Sequence, residues 1–442
     1  MSWMGSAPYV EQGCVPVKLC GKPPSVTFLR EVWCDMFYVG IDIAKNFHEA
    51  AILSDSGELA GTSLKIANTI PGAQKLLDHL AKAGVSADNA VIGMEATGHY
   101  WLAIYSFLVG QNYAVKVINP IVTDAYRNMS VRKVKTDQID AVVIAKVLRL
   151  GEYKEAPTAN EQTLALRQLC RFRAYEVDLC SDLKRKSIAL VDQIFPEYAK
   201  LFSDTFGVTS REVLLNYSTP EELSQISTRK LTNLLDKASR GRFGKDKALE
   251  IKDAAVHSLG ITFATDAFAF QLRQLLEQIS FVEEQVEQLD LEIAAYMKQT
   301  DSYITTIPGI GPVLGAVILS ELGDISRFED AKKLVAYAGI DAAVNQSGNF
   351  EGTEVHMSKR GSPYLRRALY TAANVAAFHD PELSAYYQRL RQRGKHHGVA
   401  VGAVARKLCY FIFSVLSENR PYELRSHNAA TGGAEPAQLA SE

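Results

Sequence analysis

At 442 residues the chain exceeds one ordinary domain, and roughly two to four units are expected. Hydrophobic residues at 47% and charged residues at 22% are globular proportions and exclude a disordered or fibrous chain. A net charge of −2 argues against a uniformly basic nucleic-acid binder, and without an unbroken apolar run of about eighteen residues no transmembrane helix is expected. The first residues, MSWMGSAPYV, lack a basic segment followed by an apolar one, so no secretory signal is read. The six cysteines (Cys14, Cys20, Cys34, Cys170, Cys180 and Cys409) show no metal-ligand spacing and read as reduced thiols of a cytosolic protein.

Residues 1–35 are rich in Gly, Pro and Cys and have no periodicity. The expectation is a disordered extension, or a start placed too far upstream, with Met36 as the natural first residue. From there the pattern is α/β. MFYVGIDI (36–43), FHEAAILS (47–54) and GELAGTSLKIA (57–67) read as three strands, with a hairpin-type turn at Asp55-Ser56-Gly57. A helix over 71–83 starts at Pro71, NAVIGMEA (89–96) is a fourth strand, and 98–110 is a helix. YAVKVINP (113–120) is a fifth strand stopped by Pro120; helical pattern resumes at Ile121 and runs through 136–150, with Thr136 as N-cap. Three early strands, a helix, then alternating strand and helix is the order of a ribonuclease-H-like domain over 36–155.

Residues 156–265 read as a poorly marked helical linker region, with Arg167, Arg171, Arg173, Lys184, Arg185 and Lys186 on an early basic helix. Over 266–300 a heptad seam follows: Phe268, Leu272, Leu275, Ile279, Val282, Val286, Leu289, Ile293 and Tyr296. A dimerising coiled coil is the favoured reading, and an antiparallel pair within one chain also fits. Residues 301–418 read as a helical C-terminal domain. Its opening Ile307-Pro308-Gly309-Ile310-Gly311 suggests a helix-hairpin-helix whose amides, at Gly309 and Gly311, hold a DNA phosphate; an ordinary Pro-Gly turn is the plainer alternative. Between Lys359 and Lys407 ten Lys/Arg face two acids, Asp380 and Glu382, which suggests a polyanion partner or a solvated surface. Lys359, Arg360, Arg366 and Arg367 are its candidate contacts. Residues 419–442 form a tail, small and polar from about 425 and expected to be disordered there.

Four acids carry the chemistry. Asp42 and Glu95 end the first and fourth strands, interrupting apolar runs where a lone carboxylate is costly. Asp137 and Asp140 share one face of the helix after Thr136, where like charges repel. A divalent cation compensates all four at once: magnesium takes hard oxygen ligands and serves phosphoryl transfer. Turn capping and a solvated helix face explain any one of these acids alone, but less well all four in this order. Arg132, Lys133 and Lys135, just before Asp137, suit phosphates or a solvated turn equally. His99, Tyr100 and Trp101 read as helix packing. Residue chemistry does not choose among Ser347, Ser358 and Ser362 on the polar loops of the C-terminal domain.

The segments VGIDIAK, GMEATGHYW, VINP, VKTDQIDA, IPGIGPVLGAVILSELGDISRF, AYAGI and MSKRGSPYLRRALY together resemble the DEDD transposases of the insertion sequence one-ten family. The likeness covers about residues 36–155 and 300–415; the first 35 residues and the segment 200–265 depart from it. It implies a RuvC-like catalytic domain joined by a long coiled coil to a C-terminal transposase domain, with Asp42, Glu95, Asp137 and Asp140 binding Mg2+. It also implies Ser347 as a nucleophile forming a covalent link to DNA, and a homodimer or homotetramer that brings the two sites together. Donor and target DNA and a guide (bridge) RNA are the implied partners, the bacterial cytoplasm at the nucleoid the implied compartment. The rivals are a RuvC-like structure-selective nuclease using metal-activated water and a nucleic-acid-binding scaffold with vestigial acids.

Overall fold

The computed structural model describes residues 36–96, 98–129, 136–151, 161–341, 346–347, 350–351 and 357–424; the extension at 1–35 and the tail beyond 424 lie outside them. The chain divides into two compact units, Met1–Ala156 and Pro157–Glu442.

The first unit is α/β. Its strands β1 (Phe37–Ile43), β2 (Phe47–Leu53), β3 (Leu64–Ala67), β4 (Ala90–Glu95) and β5 (Ala114–Ile118) form one sheet in the order β3-β2-β1-β4-β5. Neighbouring strands are antiparallel from β3 to β1 and parallel from β1 to β5. The parallel half follows from helical crossovers: α1 (Ile70–Lys82), capped by Thr69, precedes β4, and α2 (Trp101–Gly110) joins β4 to β5. Alternation sends Val39, Ile41, Ile43, Ile92 and Met94 to one face, where Leu76 and Leu80 of α1 and Ile104 and Leu108 of α2 cover them. Tyr100 and Trp101 pack against the same core.

The third strand is much shorter than 57–67. Backbone at positive φ at Gly57 (+88°) and Gly61 (+99°) breaks the extended run, leaving one isolated bridge, Leu53 to Leu59, before β3. The turn at 55–57 is present, with Gly57 N–H donating to the Ser54 carbonyl. Pro120 stops β5 and opens α3 (Pro120–Asn128). The last helix of the unit, α4 (Asp137–Leu150), begins where Thr136 accepts a hydrogen bond from the Ile139 amide.

The second unit is helical. Its spine is α5 (Glu161–Ile194) against α10 (Thr265–Lys298), each 34 residues long. Arg173 meets Asp290 and Lys184 meets Glu283, so the two run antiparallel. This corrects the dimerising reading of the heptad seam: its stripe, with Leu272, Ile279, Val282 and Ile293 buried, is covered by α5 of the same chain. Each such side chain contributes about 1.5–3 kcal/mol on burial. The early basic residues are largely spent inside the unit. Arg167 donates to the Ser320 carbonyl, Arg171 pairs with buried Glu321, and Arg185 pairs with Asp182.

Residues 200–265 are a small helical module rather than a linker. Helices α6 (Val208–Asn216), α7 (Pro220–Gln225, with a Thr219–Glu222 capping box), α8 (Thr228–Ser239) and α9 (Lys245–Val256) share one core with Leu272, Leu276 and Ile279 of α10. At the other end of the spine, Ile293 and Met297 join a separate core built on α11 (Pro312–Leu322), α12 (Ala331–Ala338), α13 (Pro363–His379), α14 (Pro381–Gln392) and α15 (His397–Ser417). By length and composition α15 would cross a membrane, but half of its most apolar stretch is buried in this core. Tyr422 ties the stretch after α15 to this unit: its hydroxyl donates to buried Asp380 at 2.5 Å, and its amide donates to Thr306. Cys170, Cys180 and Cys409 are free and buried, and burial pushes the Cys170 thiol up to about 11.

Candidate active site

One contact sets the geometry of the acids. A Cβ on Gly40 would lie 2.0 Å from the Ala141 carbonyl oxygen and 2.5 Å from the Ala145 amide nitrogen, so only glycine lets α4 lie directly on β1. A Cβ on Gly93 of β4 would lie 2.5 Å from Cδ1 of Leu148. Seated this way, α4 brings its first turn to the ends of β1 and β4. The parallel register Ile41↔Met94 continues, one step on, to Asp42 beside Glu95. Asp137 is exposed on α4 and Asp140 is buried, in the first helical turn, where negative charge is favoured.

The four carboxylates feel one another. Burial, then repulsion from Asp140, Asp137 and Glu95, raises the Asp42 carboxyl from 3.8 to about 6, against a backbone hydrogen bond from Ile43. Arg127 of α3 stands between two of the acids. Its Nε donates to Asp140 Oδ1 at 3.0 Å, its Nη2 lies 3.9 Å from Glu95 Oε1, and its Nη1 pairs with Asp124. Glu95 Oε1 is buried and has no hydrogen-bond partner. All donors are hard carboxylate oxygens and one of them is orphaned, which suits a divalent cation. Among the described residues, however, no three acids, histidines or cysteines stand close enough to hold one in this conformation, with Arg127 between Glu95 and Asp140.

Two residues of this group escaped the sequence reading. Arg127 gave no signal, being one basic residue on a short helix. Glu49 lies inside the apolar run of β2, is 5% exposed and faces Asp42 across the antiparallel pair, so both are on the α4 side of the sheet. Its interruption of that run was the available signal. Arg132, Lys133 and Lys135 lie outside the described residues.

The other candidates are in the second unit. Ser347 is in a two-stranded ladder, β6 (Gln346–Ser347) with β7 (Phe350–Glu351), opposite Phe350. Ser358 donates to Asp341, and its amide donates to the Asp341 carbonyl at 3.0 Å, which closes the base of the Ser347 segment. Ser362 is occupied as the N-cap of α13, accepting from the Leu365 amide at 3.2 Å. Lys359 and Arg360 are exposed; Arg366 lies 3.4 Å from the Ala338 carbonyl, and Arg367 donates from Nη1 to both carboxylate oxygens of Asp178 at 2.7 and 3.0 Å.

A short 3-10 turn, Ile304–Thr306, precedes the expected hairpin, and α11 follows it. Gly309, at φ +88°, backs onto α13: a Cβ there would sit 2.5 Å from the Ala372 carbonyl oxygen. That close packing explains the glycine without a phosphate. Gly311 faces open space at the start of α11.

Residues 39–196 match the DEDD transposases of IS110 type, and residues 301–388 match the transposase IS116/IS110/IS902 family. Among curated proteins, the mini-circle putative transposase for IS117 of Streptomyces coelicolor is 29% identical, over 84% of this chain and 91% of its own length. The pilin gene-inverting protein of Moraxella bovis is 24% identical, over 88% of this chain and 98% of its own. A 43.6 kDa protein of insertion element IS110, also from Streptomyces coelicolor, is 25% identical, over 88% and 96%. The two matched segments hold both acid pairs and Ser347's flanks, and the chain belongs to the IS110 family of transposases, enzymes that recombine DNA.

Proposed function

We propose that the chain is a magnesium-dependent DNA recombinase that excises and inserts its own mobile element, with Ser347 as nucleophile and a bridge RNA as guide. The observation that carries the metal half is the convergence of four acids from remote stretches of sequence, Asp42 and Glu95 at the ends of β1 and β4 and Asp137 and Asp140 on the first turn of α4, close enough that the other three add to burial in raising the Asp42 carboxyl. The strand order β3-β2-β1-β4-β5, with Asp42 and Glu95 at the ends of the adjacent inner strands β1 and β4, supports a ribonuclease-H-like reading of the first unit.

In this reading Asp42, Glu95, Asp137 and Asp140 hold Mg2+, which when bound neutralises charge on the phosphate and the departing oxygen. The Ser347 hydroxyl attacks phosphorus; a serine–phosphate ester forms as the sugar–oxygen bond to phosphorus breaks, and the hydroxyl proton leaves to solvent or a nearby base. Lys359, Arg360, Arg366 and Arg367, with Arg132, Lys133 and Lys135 and the amides of Gly309 and Gly311, hold phosphates. A homodimer or homotetramer unites the two sites, and the guide RNA pairs with donor and target DNA.

Incubation with magnesium and labelled junction DNA, followed by a denaturing gel, tests this. Wild type gives a slow covalent band and Ser347→Ala gives none while still binding DNA. A band lost in Ser358→Ala instead transfers the role to that serine. Magnesium-dependent cutting without any band in wild type favours the water-attack nuclease, and neither cutting nor band favours the scaffold. A structured RNA encoded beside the gene, with loops complementary to the element's junctions, supports the guide; its absence removes it.

A further inference from the structure

Arg127 has no part in the scheme above, yet its guanidinium lies among the acids. We propose that Arg127 is a built-in counter-ion: it holds the acidic cluster together in the metal-free protein and is displaced when divalent cations enter. The inference rests on the reading of the four acids as a metal site.

The geometry supports it in three ways. First, Arg127 makes a charge-assisted hydrogen bond at 3.0 Å to Asp140, whose side chain is 8% exposed, so a positive group already compensates the most buried of these carboxylates. Second, it compensates Glu95 poorly. At 3.9 Å the Nη2 group is beyond hydrogen-bond range, and Glu95 Oε1 is left buried and unpartnered. A guanidinium is a rigid planar fork, and one spanning Asp124, Asp140 and Glu95 satisfies the first two and strains toward the third. A compact divalent ion has no such constraint. Third, Arg127 sits on the last turn of α3, one residue before the helix ends, and its side chain is 20% exposed. It can therefore swing outward without repacking the core, keeping Asp124, which is largely exposed, as an anchor.

Guanidinium and metal then compete for the same oxygens, and removing the guanidinium tightens metal binding. The test is calorimetric titration of full-length protein with Mn2+ in the absence of nucleic acid, alongside the metal-free melting temperature. Arg127→Gln should bind Mn2+ about tenfold more tightly than wild type, the factor commanded by one charge-assisted hydrogen bond. Its metal-free melting temperature should fall, because the acids lose their counter-ion. Arg127→Lys, a point charge that engages one carboxylate at a time, should lie between them. Equal or weaker Mn2+ affinity in Arg127→Gln, with wild-type binding intact, overturns the inference and leaves the metal reading standing. No Mn2+ binding by either protein overturns both. Should Arg127→Gln fail to fold, Arg127→Lys decides on the same criterion: tighter than wild type supports displacement, equal affinity refutes it.

Discussion

Asp42→Asn removes a charge from the crowded end of the sheet while keeping an oxygen that still accepts from the Ile43 amide. The wild-type carboxyl is raised from 3.8 to about 6, first by burial and then by its acidic neighbours. Between those two values the folded state holds a proton that the unfolded chain has lost. Stability contributed by the protonated form is therefore lost as pH rises through this window, and above pH 6 the penalty is complete. Taken at face value the displacement corresponds to about 3 kcal/mol. Partial exposure of the group reduces this to about 1–2 kcal/mol. Without metal at pH 7.5, Asp42→Asn should raise the melting temperature of the first unit by roughly 4 °C. The gain should fade as pH falls through 3.8 and vanish well below it, where both states of the wild type are protonated. Saturating Mg2+ should reverse the order, since wild type alone gains a ligand-bound state. Calorimetry across pH, with EDTA and with magnesium, measures all three. A lower metal-free melting temperature for the mutant at pH 7.5, or a gain independent of pH, would refute the reasoning.

Gly40→Ala should cost about 3 kcal/mol or more, because its methyl group enters the α4 backbone; rapid proteolysis of the first unit and lost recombination are expected, and a wild-type melt would contradict the packing. Ile279→Asp places a charge in the α5–α10 seam and should unfold the helical unit by about 4 kcal/mol or more. A cooperative wild-type melt combined with a reduced mass in light scattering would instead point to a seam between protomers. Ser362→Ala should cost about 1 kcal/mol through loss of the α13 cap, yet leave the covalent adduct with DNA intact.

The acids were legible because a carboxylate inside a buried strand stands out against its neighbours: Asp42 and Glu95 each break a run of apolar letters. The heptad seam was equally legible as a stripe that needs cover. Its partner was not, because the matching face of α5 is written in mixed chemistry. Leu166, Leu183, Val191 and Ile194 alternate there with Cys170, Glu176, Cys180 and Ser187, all buried. A helix that buries such a face reads from sequence as polar and basic. The same holds for Arg171 and Arg173, which read only as part of a basic helix and in the fold lock onto Glu321 and Asp290. Residues 200–265 were illegible for another reason: helices of 6 to 12 residues carry too few turns to establish a period.

The paired α5 and α10 make a strut about 50 Å long at the usual helical rise. The module of α6 to α9 is attached near one end and the domain bearing Ser347 near the other, each with its own core. Between those cores the strut is held by the seam, the Arg173–Asp290 pair and the exposed contact of Arg367 with Asp178. Its length is therefore separable from its ends. Excising seven residues from each helix at facing positions would keep the stripe in phase and bring the two ends roughly 10 Å closer. The span becomes a ruler whose gradations are heptads, adjustable without redesigning what it measures between.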